Sequence, residues 1–202
     1  MSVKNNNGVY VMKIFFVRHG AAQSNVDRRY LGRGDEPLCR EGREQARALF
    51  ESGVPAAERV FVSPLLRCRQ TAEILYPGAA LETAPQFAEL DFGSFEGKTH
   101  QELTGDPAYA AWLESGGTFS IPGGETLASF TERCREGFLW MLERAAGAAS
   151  LAAVVHSGTI MALLSGFAVP PQPFYGCYVK NCGCVLCCWD GVHLAIEGGD
   201  LE

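Results

Sequence analysis

Two short apolar runs limit what this chain can become. Ile14–Val17 and Leu151–Val155 each read as a buried strand, and each ends abruptly on a histidine with glycine close behind: Arg18-His19-Gly20 and His156-Ser157-Gly158. Segments of helical composition lie between and after them. Glu41 to Glu51 carries Ala46, Leu49 and Phe50 on one face. Arg59–Ser63 is a short strand feeding "SPLLRCRQTAEIL", where Ser63 reads as an N-cap and Pro64 as the first helical residue. Within Gly124–Gly147 the residues Leu127, Phe130, Cys134, Phe138, Met141 and Leu142 recur at helical spacing, and a helix begins after His156. Cys184–Trp189 and His193–Ile196 read as two closing strands joined through "DG". This alternation predicts an α/β fold, a three-layer α/β/α sandwich around a mostly parallel central sheet.

The chain has 202 residues, enough for one domain with a sizeable core, and no repeat or linker divides it. Residues 1–8 are expected to be a flexible tail without the apolar core of a signal peptide. Residues from about 90 to 123 are expected to form a lid-like insert, with Trp112 and Phe119 either stacking on a substrate or packing the insert itself. A net charge of −6 argues against general nucleic-acid binding. No apolar stretch approaches the roughly 18–20 residues of a membrane span. A cytoplasmic enzyme is the expectation. A homodimer through an edge strand or the cysteine-rich strand is compatible with the sequence.

Five of eight cysteines fall in "CYVKNCGCVLCCWDG". Their spacing is not that of paired zinc knuckles. Cys182, Cys184 and Cys188 read as one face of a strand, with Val185, Cys187 and Trp189 on the other, so core packing is expected rather than a metal.

In a parallel sheet, ligand sites form at the carboxyl ends of strands. That rule gathers Arg18-His19-Gly20, Arg67 near the start of the helix after the second strand, and His156-Ser157. Two arginine forks, two histidines and a helix N-terminus suit a compact anion such as phosphate. Gly20 is expected to admit the anion close to the backbone. Other motifs fail: "GSFEGKT" has three residues between its glycines where a P-loop has four, and Ser157 lacks the preceding glycine of a serine-hydrolase elbow.

"RHGAAQSN", "LGRGDEPLCREGREQA", "SPLLRCRQTAEIL", "ELDFGSFEG" and "VVHSG" together resemble the histidine phosphatase superfamily, whose fold is that of phosphoglycerate mutase. The resemblance runs from about Lys13 to Asn181 and implies metal-independent hydrolysis of a phosphomonoester without a cofactor. By resemblance His19 is the nucleophile, Arg18, Arg67 and a protonated His156 bind the phosphoryl group, and Glu89 is the proton donor and then the base. Asn25, Ser157, Gly20, Gly32 and Arg33 are assigned to substrate binding. Arg28, Arg29 and Arg33 either line the mouth or form a solvated loop. The chain departs from the family at Ala21-Ala22, which has no hydroxyl, and at Ser157, where Gly-Gly is usual after the histidine. The compact size, "LGRGDEPL" and "PGGETLASFTER" are most similar to the α-ribazole-phosphate phosphatases within that family. General small-metabolite phosphatases, a mutase and a non-catalytic binding module are the alternatives.

Overall fold

The computed structural model describes residues 3–4 and 10–201. Its strands are β1 (Val3–Lys4), β2 (Tyr10–Arg18), β3 (Arg59–Val62), β4 (Leu81–Thr83), β5 (Ser150–Val155), β6 (Cys184–Trp189) and β7 (Leu194–Gly199). The helices are α1 (Gln23–Val26), α2 (Arg40–Gly53), α3 (Leu66–Leu75), α4 (His100–Leu103), α5 (Pro107–Glu114), α6 (Leu127–Arg144) and α7 (Ser157–Phe167). The sheet runs β4-β3-β5-β2-β6-β7, with β1 pairing β2 outside that path. β4, β3, β5 and β2 are mutually parallel, whereas β6 is antiparallel to both β2 and β7.

Alternate side chains of the central strands go to opposite layers, and both layers are covered. Ile14, Phe16, Phe61, Leu151, Ala153 and Val155 pack with α6 and α7 in one cluster. Phe15, Val17, Val60, Val62, Ala152 and Val154 pack with α3 in the other. Strands buried on both faces have no polar side to display, which explains their unbroken apolar runs. The expected three-layer sandwich is therefore the observed one. Among the described residues, no helix is long and apolar enough to cross a membrane.

Several local expectations change. Ser63 does not cap α3, which starts two residues later with Leu65 at the N-cap position. Asp35 Oδ1 takes the Leu66 N–H instead, at 2.6 Å, and leaves Ser63 available to the site. Cys182 lies outside β6 in a left-handed turn (φ 57°), its N–H directed to the Arg18 and His19 carbonyls. Cys187 joins the α6/α7 layer with Val185, and Cys184 packs on the other layer. β6 has a neighbour on each side, so its ladder is filled and β7 is the edge. Of the expected N-terminal tail, Val3–Lys4 pairs with Tyr10–Val11, and the rest lies outside the described residues.

The register aligns the strand ends that carry chemistry. Val17 and Val62 both pair with Val154, and Arg18 pairs with Val155. His19, Ser63 and His156 are consequently the first residues beyond three neighbouring strands. Phe16, fully buried beneath this rim, meets Phe138 of α6 with ring centroids 6.2 Å apart. Truncation of Phe16 to alanine should cost about 3–5 kcal/mol through lost burial and a residual cavity, seen as a lower urea midpoint with an unchanged slope.

Candidate active site

Arg67 joins the strand ends. It leaves the first turn of α3 and is fully buried. Its Nε–H donates to His19 Nε2 at 3.2 Å, and one Nη2–H donates to His156 Nδ1 at 3.3 Å. The carbonyls of Gly34 and Gly32 accept from Nη1 and Nη2 at 2.7 and 2.8 Å. A guanidinium only donates, so these contacts fix both imidazoles. His19 presents an Nε2 lone pair while its Nδ1–H donates to the Gly20 carbonyl at 2.7 Å. His156 presents its Nδ1 lone pair to Arg67 and donates Nε2–H to Ser63 Oγ at 2.7 Å. The two rings lie edge to face, 5.1 Å between centroids.

Electrostatics agree with those tautomers. Burial and then the Arg67 and Arg18 charges hold His19 well below the ordinary imidazole range. Burial, Arg67, His19 and Arg18 do the same to His156. The protonated form of His156 expected from the sequence is therefore disfavoured while no anion is bound. Cys68 packs on the same ring, with Sγ 3.5 Å from Nε2, and burial pushes its thiol up to about 12.

Arg18 donates from Nη1 to Tyr178 Oη and to the Val179 carbonyl, both at 2.7 Å. Its buried Nε has no partner among the described residues. Glu89 accepts N–H bonds from Leu90 at 2.9 Å and Gly158 at 3.3 Å. Burial raises its carboxyl pKa, opposed by the Leu90 N–H, Arg67, the Gly158 N–H and Arg18. A Cβ on residue 158 would collide with Glu89 Oε1, so glycine at this helix start makes room for the carboxyl group.

Arg18, Asn25, Glu89, Ser157 and Gly158 line one cavity of about 480 Å3, within the range of small-molecule sites. Beyond them its wall is largely aromatic, with Tyr30, Phe92, Trp112, Phe174, Tyr175 and Tyr178, and aliphatic at Leu31, Leu90, Leu127 and Met161. His19, Arg67 and His156 are buried next to it. Asn25 Oδ1 accepts the Ala22 N–H at 3.0 Å, which turns its NH2 group into the end available for donation.

Three assignments to substrate binding change. Gly20 gives its N–H to Thr71 Oγ1 at 3.0 Å, and a Cβ there would collide with the Gly42 carbonyl oxygen. Close packing on α2 is thus by itself enough to require glycine at this position. Gly32 directs its carbonyl to Arg67 and its N–H to Glu96 Oε2 at 3.0 Å. Arg33 lies outside the cavity wall, half-exposed and 3.9 Å from Glu125. Of the expected lid residues, Trp112 lines the cavity whereas Phe119 is exposed. Arg29 lines it too, but its guanidinium is bonded to the Gly97 carbonyl and Glu102.

Sequence reasoning missed Ser63, Thr71, Tyr178 and Asn181, whose amide donates to the His19 carbonyl at 3.0 Å. Ser63 alone carried a usable signal, because it ends a strand as His19 and His156 do. Among the described residues no group of three or more His, Cys, Asp or Glu side chains is arranged to hold a metal.

Comparison with known proteins bears on this geometry. The histidine phosphatase superfamily (branch 1) matches residues 14–198. An adenosylcobalamin/alpha-ribazole phosphatase of Salmonella typhimurium is 32% identical over 188 residues, 91% of each chain. The crystal structure of a phosphoglycerate mutase from Thermus thermophilus is 33% identical, covers 91% of this chain and 96% of its own, and superposes with a TM-score of 0.71. An alpha-ribazole phosphatase from Shigella flexneri gives a TM-score of 0.84 over 94% of this chain and 96% of its own. At 23% identity that last likeness is one of fold.

Two outcomes follow from the Arg67 geometry. In phosphate-free protein, imidazole 15N shifts should show His19 and His156 still neutral well below pH 6.5, and inorganic phosphate should move both titrations upward. Ser63→Ala leaves the buried His156 Nε2–H with only the weak acceptor Cys68 Sγ and should lower unfolding free energy by about 1–3 kcal/mol, measured by urea titration.

Proposed function

Starting from a chain that belongs to the histidine phosphatase superfamily (branch 1), we propose that it hydrolyses a small phosphomonoester through a phosphohistidine at His19, without a metal. The observation that carries this reading is the His19 tautomer. Gly20 takes the Nδ1 proton, so the nitrogen next to Arg67 holds a lone pair at neutral pH.

The phosphoryl oxygens are bound by Arg18, Arg67, the Asn25 amide and the first N–H groups of α7 at Ser157. Their negative charge compensates two guanidinium groups that have no carboxylate partner of their own here, and each well-placed donor contributes roughly 3–4 kcal/mol to lowering the barrier. As phosphate oxygens take over the N–H groups of Arg67, the lone pair of His19 Nε2 is released for in-line attack on phosphorus. The P–O ester bond breaks as the N–P bond forms, and Glu89 gives its proton to the departing alkoxide. The resulting Glu89 carboxylate takes a proton from the water that cleaves the N–P bond, which returns inorganic phosphate and restores both residues. The anion also raises the proton affinity of His156, which then donates to it. The arginines supply the charge neutralisation that phosphoryl transfer requires.

The wall of the cavity favours an ester whose leaving group carries a flat aromatic part. Its cations are Arg18 and Arg29, and Arg29 is already engaged by Glu102. A mutase must retain a second phosphate, and of the two arginines lining this cavity Arg29 is already bonded to Glu102 and the Gly97 carbonyl. α-Ribazole 5′-phosphate, a benzimidazole riboside ester, matches the wall and the name of the Salmonella relative, and is the substrate we assign. Eight cysteines present as thiols support action in the reducing cytoplasm. A homodimer contact is assigned to the β7 edge beyond Leu194, whose carbonyl already accepts the Val169 N–H at 2.9 Å.

Phosphate release from α-ribazole 5′-phosphate, 3-phosphoglycerate and sugar phosphates, without added metal, tests this reading. Turnover should be lost in His19→Ala, and acid-quenched wild type should retain acid-labile phosphate on His19. The pH profile of kcat/KM should fall on the alkaline side as Glu89 loses its proton, above the ordinary carboxyl range because its pKa is raised. The acid limb should lie below the ordinary histidine range because the pKa of His19 is lowered. Turnover that persists in His19→Ala would refute the phosphohistidine route.

A further inference from the structure

Glu89 reaches the site on a segment with no ladder to hold it. It follows a 3-10 turn, Pro85–Phe87, and is itself outside any helix or strand. Apart from one bond from Thr159 Oγ1 of α7 to the Phe87 carbonyl at 3.4 Å, the segment's backbone is fixed from α6. Arg133, one and a half turns into that helix, donates from Nη1 to the Gln86 and Ala88 carbonyls at 2.5 and 2.9 Å, and from Nη2 to the Glu89 carbonyl at 3.4 Å. Its Nε and remaining Nη2–H meet Glu125 Oε1 and Oε2 at 3.0 and 2.7 Å. All five guanidinium N–H groups thus have acceptors. One turn further, on the same face, Gly137 lets the segment lie against the helix. A Cβ there would stand 2.6 Å from Gln86 Cβ and 3.0 Å from the Phe87 ring.

We propose that Arg133 and Glu125 are a positioning pair for the general acid, setting the reach of the Glu89 carboxyl group towards the leaving-group oxygen. The inference rests on the general-acid role argued above for Glu89. Neither partner lines the cavity, so the pair acts through the backbone it holds. It also accounts for "PGGETLASFTER", whose Glu125 and Arg133 now have a shared purpose. Glu125 is itself locked by donation of its N–H to the Asp91 carbonyl at 3.0 Å, which closes the loop on the far side of Glu89. The carboxylate is held below the usual range by Arg133 and Arg33 despite the opposing effect of burial, so it stays ionised as the guanidinium requires. Lysine, with three donors on a flexible stem, cannot replace this fork.

A proton donor matters in proportion to how poor the leaving group is. An alkoxide needs its proton in the transition state, whereas 4-nitrophenolate leaves without one. A positional fault at Glu89 therefore has a signature that general loosening of the fold lacks. The quantity to compare is kcat/KM, which covers only the steps up to the phosphohistidine.

The experiment measures kcat/KM for 4-nitrophenyl phosphate and for ribose 5-phosphate in wild type, Arg133→Lys, Glu125→Gln and Glu89→Gln. Glu125→Gln keeps the side-chain shape, so the comparison stands even where Arg133→Lys does not fold. Both pair variants should lose roughly 10–100-fold on the alkyl ester yet stay within about threefold on the aryl ester, following Glu89→Gln in direction. Equal losses on the two esters, or no loss on either, would overturn the positioning role. Discrimination in Glu89→Gln but in neither pair variant would overturn this inference alone. A Glu89→Gln enzyme without discrimination would remove the acid reading, and the inference with it.

Discussion

A fully buried guanidinium without a carboxylate is the constraint on which the rest of the site depends. Desolvating such a charge costs several kcal/mol, and neutral acceptors repay only part of that. Arg67 is bonded to two backbone carbonyls and two imidazole nitrogens and, among the described residues, to no carboxylate; Glu89 feels its charge but is pushed towards the neutral form by burial. The site is therefore left with a deficit that a phosphate dianion removes on binding. Each partner has to be held firmly for the deficit to persist. The Gly32 and Gly34 carbonyls come from a loop whose 32 and 33 N–H groups are fixed by Glu96 at 3.0 and 2.8 Å. His19 is fixed at its ring by the Gly20 carbonyl and at its own carbonyl by Asn181. A loosely held set of acceptors would relax around the charge and weaken the attraction for the anion.

Glu96 links this charge to the shape of the cavity. The same carboxylate that holds Gly32 and Arg33 also accepts the Phe92 N–H at 3.2 Å. Phe92 meets Tyr30 and Trp112 with ring centroids 5.1 and 6.4 Å apart, and Phe95 packs against Tyr109 and Trp112 behind them. The segment between Glu89 and α6 is thus tied at its start to the acceptors of Arg67 and packed by its own aromatics. Edge-to-face contacts of this sort add roughly 0.5–1.5 kcal/mol each beyond burial, enough to keep the aromatic wall formed without a substrate. Of the two residues expected in a lid, the insert brings Trp112 to the cavity wall and leaves Phe119 exposed.

The strand ends were legible in the sequence because two rules coincide there. A run buried on both faces must be apolar, and a polar group directly after it stands at the ligand edge of a parallel sheet. Arg18, His19, Arg67 and His156 are singled out on that basis, and Glu89 by resemblance, and the structure brings the five side chains to one end of the sheet. Ser63 was misread because serine followed by proline is a strong helix-start signal, and the competing cap, Asp35, lies 31 residues away from Leu66. Gly20 was assigned to the anion because local sequence shows a missing side chain but not what would collide with one; the Gly42 carbonyl comes from another helix. Arg33 illustrates the opposite limit. Its side chain points to Glu125, a partner that no short-range pattern connects to it.

The same distinction bears on Ser157, the residue that departs from the Gly-Gly usual in the family. Its hydroxyl accepts the Val179 N–H at 3.2 Å. The Val179 carbonyl in turn accepts from Arg18 Nη1, and the adjacent Tyr178 takes the other contact and lies under the guanidinium, 5.2 Å from its ring centroid. The added side chain thus anchors the segment that aims Arg18, one of the two arginines proposed to bind the phosphoryl group. Ala22 shows a similar substitution of means: it brings no hydroxyl, but its N–H orients the Asn25 amide. At Ser157 the side chain that differs from the family pattern is absorbed into the positioning of a donor, whereas at Ala22 the backbone N–H orients the donor and the missing hydroxyl is not replaced.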